Sequence, residues 1–156
     1  MNPPSRKPKL DAKARYYYHL TSDKGWGDSV ILHPQDSGCN RGDNEPLVSR
    51  TCVGPSLFHW LCAIPYCRSI DYKLYRTKIP VQAYYPFGVF DMIYTQDKWI
   101  LEPCEFVFVE TFNLPITFPC YPPCSEGEVN TKMYQEGYLN LKKAVKELWP
   151  ESFVTD

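Results

Sequence analysis

Nowhere in this chain do apolar residues run on for the ~20 positions that a membrane-crossing helix requires. Residues 1–15 carry Arg6, Lys7, Lys9, Lys13 and Arg15 and hold no apolar stretch of the sort found at the centre of a secretory signal. Neither sign of charge is in excess. The 17 Lys and Arg against 18 Asp and Glu leave a formal net charge of −1, which gives no global pull toward nucleic acid or an anionic membrane. Motifs of the common chemistries are missing too: there is no Gly-x-Ser-x-Gly elbow, no His-Glu-x-x-His, no Walker loop and no Gly-x-Gly-x-x-Gly. Gly25-Trp26-Gly27 is too short to cradle a phosphate by itself. The seven cysteines are an odd number, expected as reduced thiols of a cytoplasmic chain. His59, Cys62 and Cys67, with Cys120 and Cys124 farther on, come nearest to a metal set. Neither cysteine pair lies in a Gly-rich knuckle, and His59 and Cys62 fall within an apolar segment, so the expectation is buried thiols and no metal.

What the chain has is aromatic side chains, 12 Tyr and 4 Trp among them, each with an apolar body and a polar tip. Its length suits one domain with a two-layer core. Residues 1–14 read as a flexible basic arm and 15–156 as a single globular domain. "YYYHLTS" (16–22) has strand composition, and alternation puts His19 and Thr21 on one face. A turn-rich connection around Val30-Ile31-Leu32 follows, containing Arg41-Gly42-Asp43, read as a chance tripeptide. A second strand is expected over 47–53, with Ser49 and Thr51 on one face and Arg50 and Cys52 on the other. Gly54-Pro55 ends it, and Ser56 is placed to cap a short helix, "LFHWLCAI". A strand is expected around Tyr72 and Leu74. Pro103, between Trp99-Ile100-Leu101 and Phe106-Val107-Phe108-Val109, suggests an edge strand followed by a core strand. Met133, Tyr134, Tyr138, Leu141, Val145 and Leu148 recur at three- and four-residue spacing, which predicts an amphipathic helix ended by Pro150. The order gives an α+β fold: a mostly antiparallel split sheet with a short central helix and a C-terminal amphipathic helix.

Taken in order, "YYYHLTS", "SRTCVGPSLFHWLCAI" and "DMIYTQDKWILEP" resemble the ADP-ribosyltransferase superfamily in its His–Tyr–Glu form. The layout is also similar to small uncharacterised bacterial and phage proteins, for which the location would be the host cytoplasm. The resemblance covers roughly residues 15 to 112. It implies NAD+ as substrate, or a related ADP-ribose ligand, and cleavage of the nicotinamide–ribose bond. Carried over, His19 matches the histidine that holds the ribose, with Thr21 beside it. Ser49, Thr51 and Ser56 become polar groups around the ligand, Ser56 serving equally as a mere helix cap, and Arg50 is available to the pyrophosphate. The family's stacking Tyr has no clear match in the second segment, and Trp60 or a later tyrosine such as Tyr85 stands in for it. Asp97 or Glu102 would supply the carboxylate that supports an oxocarbenium-like transition state. Lys98 interrupts the usual acidic triplet, which leaves room for a relative that binds a nucleotide without catalysis. The acceptor implied is protein, nucleic acid or water.

The same composition suits a different class, a non-enzymatic phage-type protein that binds and inhibits a host or defence protein. Tyr and Trp anchor such interfaces. The two readings separate on geometry: His19 either shares a cleft with Asp97 or Glu102, or it is a strand histidine.

Overall fold

A computed structural model describes residues 8–22, 25–35, 48–62, 71–86, 96–113 and 132–150. Eight strands and two helices occur in these segments: β1 (Lys9–Leu10), β2 (Tyr18–Ser22), β3 (Ser29–Leu32), β4 (Thr51–Val53), α1 (Leu57–Cys62), β5 (Asp71–Thr77), β6 (Tyr84–Tyr85), β7 (Lys98–Ile100), β8 (Cys104–Asn113) and α2 (Lys132–Leu148). They make two antiparallel four-stranded sheets, ordered β1-β6-β7-β4 and β2-β5-β8-β3. The α+β split sheet with a short middle helix and a C-terminal helix is therefore the architecture.

The second sheet carries a hydrophobic core against each of its faces. On one, Leu20, Tyr72, Leu74 and Phe112 meet Leu57, Phe58 and Leu61 of α1 and Leu141 and Val145 of α2. On the other, Tyr17, Tyr75 and Phe106 pack with Val53, Ala83 and Ile100 from the first-sheet side. One strand serves both cores through a bulge. Tyr75 pairs with Phe108 but Leu74 pairs with Glu110, so Val109 is an extra residue in β8. That insertion reverses the alternation, which sends Phe106 to one core and Phe112, an even number of residues away, to the other.

The two sheets meet along β4. Its Thr51–Val53 run pairs with β7 on one side. On the other side Arg50 exchanges both backbone hydrogen bonds with Gln35, just past β3, and Gly54 does the same with Tyr18 of β2. Strands β2-β5-β8-β3 thus curl until their two edges both reach β4. Between those contacts, on the same side of β4, lies the carbonyl of Cys52.

Several expectations change. Residues 8–14 of the supposed flexible arm are a built edge: Lys9 and Leu10 pair with Tyr85 and Tyr84, and Asp11 donates its N–H to the Ala83 carbonyl at 2.8 Å. Asp11 is buried and forms an ion pair with Lys98 at 3.3 Å, a tertiary partner that a charge count along the arm does not reveal. Strand β7 is interior, between β6 and β4, rather than an edge. Pro103 lies outside both neighbouring strands, so its missing N–H costs the ladder nothing. In α2, Leu141 and Val145 are buried as the periodicity predicts, but Leu148 is 52% exposed, and Trp149 instead sets its ring against Phe112 at 5.1 Å. Residues 36–47, including Arg41-Gly42-Asp43, and 114–131, including Cys120 and Cys124, lie outside the described residues.

Candidate functional site: an aromatic face around His19

His19 pairs across β2 and β5 with Tyr75, so both side chains project from the same face. Nδ1 of His19 lies 2.8 Å from the Cys52 carbonyl oxygen. A carbonyl only accepts, so Nδ1 carries the proton and the neutral ring presents Nε2 as an acceptor. The imidazole therefore supplies a side-chain rung across the one gap between the Gln35–Arg50 and Tyr18–Gly54 pairings. Rings surround it: Trp60 edge-on at 4.9 Å, Trp26 at 5.8 Å and Phe106 at 6.1 Å. Trp60 is itself fixed by donating Nε1–H to the Tyr18 carbonyl at 2.7 Å. Burial lowers the His19 pKa below its usual value, opposed by the bond to Cys52. No carboxylate contributes to that shift.

Residues 25–27 pack over this face. Gly25 and Gly27 have φ of 64° and 76°, and a Cβ on Gly25 would run into the Lys73 side chain and come within 2.9 Å of the Tyr75 hydroxyl. Glycine takes the left-handed conformation at both positions without strain, and at Gly25 it also leaves room for the Lys73 and Tyr75 side chains. The Tyr75 hydroxyl accepts the Trp26 N–H at 2.7 Å and donates to the Gly27 carbonyl at 2.8 Å. Trp26 is held this way with its ring 5.2 Å from Tyr75, yet 39% exposed. Phe108 flanks Tyr75 from β8 at 5.7 Å and is 38% exposed. Replacing Tyr75 with Phe should leave both loop groups without their partner and destabilise the chain by about 1–2 kcal/mol. Trp26 fluorescence should become more quenchable by acrylamide than in the parent protein.

Of the residues expected around a ligand, the fold gathers His19 and Trp60, with Thr21 two positions along the same face. The others are dispersed. Arg50 is buried, its guanidinium 4.2 Å above the Trp99 ring and Nη1 donating to the Val48 carbonyl at 3.3 Å. Thr51 is buried beside Val53, and Ser49 is exposed. Tyr85 belongs to the first sheet, where Lys98 Nζ lies 4.0 Å from its ring. Asp97 immediately precedes β7, and Glu102 is exposed in the bend after it. Burial, and after it the charges of Glu102 and Glu105, raises the pKa of the Cys104 thiol.

Ser56 and His59 form a close pair, with Ser56 Oγ 2.7 Å from His59 Nδ1. It has the geometry of a helix cap. Ser56 is 3% exposed, and its oxygen also accepts the His59 N–H at 3.4 Å. Burial, then the Lys142 charge, lowers the His59 pKa to about 4. Among the described residues, no three of His, Cys, Asp or Glu converge on a metal site.

Both His19 and His59 are neutral in the fold and protonate more readily in the unfolded chain. The unfolded state therefore takes up more protons once pH drops below 6.5, and stability falls from there toward the His59 value of about 4. The expected loss is on the order of 2 kcal/mol after solvent screening of His59. Urea midpoints at pH 7.5 and pH 5.0 measure it, and a midpoint that rises on acidification contradicts the assignment.

The sequence offers Tyr75 only as one of several later tyrosines that could stand in for a stacking Tyr, and it singles out neither Trp26 nor Phe108 as a site residue. A Trp between two glycines in a turn-rich stretch was the available signal, since glycine-only backbone that holds an aromatic at the surface is rarely packing alone. No family model matches the chain, and neither does a curated protein or a solved structure.

Proposed function

We propose that the chain is a non-enzymatic binding protein that engages a protein partner through the aromatic face carrying Trp26 and Phe108, as an inhibitor of that partner would. The observation behind this reading is the bracing of an exposed Trp26 by both hydrogen bonds of the buried Tyr75 hydroxyl. A rigid aromatic side chain buries a large area on binding while losing little entropy, the property of an interface anchor. The test is site-specific photo-crosslinking in cells of the source organism. A crosslinker at position 26 should give one discrete adduct, and the same group at Lys143, on the exposed face of α2, should give none. Matching diffuse patterns from the two positions would overturn the reading.

A second reading, binding of NAD+ or an ADP-ribose nucleotide, is favoured by one observation. The His19 ring, with Nε2 as its acceptor, has the Trp26 and Trp60 rings at 5.8 and 4.9 Å, so a base could stack there and a ribose hydroxyl could donate. Calorimetric titration with NAD+ and ADP-ribose decides between the two. Saturable heat that is lost in Trp26→Ala supports the nucleotide, and silence supports the protein partner.

A further inference from the structure

Strand β8 is longer than its neighbour on one side. Strand β3 covers Cys104 to Val107 only, and the last contact is the Phe108 N–H donating to the Asp28 carbonyl at 2.9 Å. Beyond it the chain turns inward through Gly27 and Trp26 to Tyr75. On the opposite side β5 pairs with β8 as far as Asn113. Among the described residues, no strand lies against 109–113 on the β3 side. A strand directs about half of its backbone N–H and C=O groups to each edge, so among the described residues the outward row of this stretch has no partner strand. Phe108, Val109, Glu110 and Thr111 are consecutively exposed, Val109 at 44%.

We infer that residues 109–113 of β8 form a docking edge that takes an added strand from an extended segment of the partner protein, with a basic residue and an apolar residue two positions apart. Past the Val109 bulge, Glu110 and Phe112 pair with Leu74 and Tyr72, on the face that packs against the helices. Glu110 is exposed and has no ion-pair partner among the described residues. A cation directly opposite it on an added strand gains a cross-strand charge pair, and an apolar residue opposite Phe112 extends the buried surface. A second copy of this chain fits less well, because two-fold pairing centred on Glu110 sets like charges face to face. Phe108 joins this edge to the aromatic face, so one partner can engage both; the choice of a protein as occupant rests on the reading of that face given above.

The experiment uses the full chain, 15N-labelled, with capped Thr-Val-Thr-Lys-Thr-Val-Thr, its Glu-for-Lys counterpart and a Pro-substituted control. In the unliganded chain the outward amides of 109–113 should exchange with solvent far faster than those of β5. The Lys peptide should slow that exchange and bind at least five-fold more tightly than the Glu peptide. Glu110→Lys, a surface change expected to leave the melting temperature unmoved, should reverse the preference. The inference is overturned if those amides are already protected, if the Pro control binds equally, if Glu110→Lys leaves the preference unchanged, or if the chain dimerises through this edge in sedimentation. Peptide binding together with a failed crosslink at position 26 would retain the edge and remove the aromatic face. A discrete crosslink with unresponsive edge amides would do the reverse.

Discussion

His19→Ala should lower stability by about 3 kcal/mol, a fall of roughly 6–12 °C in Tm for a chain of this size. Two losses combine. The first is the packing of an imidazole held among Trp60, Trp26 and Phe106. The second is the partner of the Cys52 carbonyl at the seam of the curled sheet. Asparagine and leucine separate them. Asn places an amide N–H where Nδ1 stood and should recover about 1 kcal/mol through the hydrogen bond; Leu restores packing and leaves the carbonyl unpaired. Thermal melts of the three variants give the comparison. If His19→Leu is as stable as the parent, the rung carries no weight and the histidine is there for some other reason.

Trp99→Ala should cost about 4 kcal/mol, enough to remove much of the stability of an ordinary domain. Trp99 is fully buried in β7, on the opposite face from Ile100, and its ring lies under the Arg50 guanidinium. Truncation opens a cavity and removes the π surface facing a buried cation. Trp99→Phe keeps most of the apolar area and a weaker ring face, so its cost should be about 1–2 kcal/mol. Urea denaturation followed by circular dichroism measures both. Equal midpoints for the Ala and Phe variants would mean that the site collapses around either residue and that the Arg50 contact contributes nothing.

These two residues show why the candidate site was only half legible. The spacing of His19 and Thr21 correctly gives a shared face, because alternation is a local property of a strand. That Arg50 and Cys52 share a face is legible for the same reason. What occupies that face is not, since the Trp99 ring beneath Arg50 comes from a strand about fifty residues later in the chain. The resemblance gathered His19, Arg50, Tyr85 and the carboxylates by their order in the sequence. Sheet pairing instead assigned Tyr85 and Lys98 to one sheet and His19 to the other.

Sequence alone determined the elements whose information is short-range. The strand at "YYYHLTS", the Ser56 cap, the short helix that follows and the amphipathic helix through Leu141 and Val145 all rest on neighbours within one or two turns. Tertiary structure decided everything that depends on which edges meet. It made Lys9 and Leu10 of the basic leader a strand, followed by the Asp11–Lys98 ion pair. It placed Pro103 between two interior strands and, through the Val109 bulge, divided β8 between two cores. It also gave His19 its place, since a lone histidine on a strand has no assigned partner until β4 brings up the Cys52 carbonyl. Local preferences fix which residues share a face; only long-range backbone pairing fixes what that face meets.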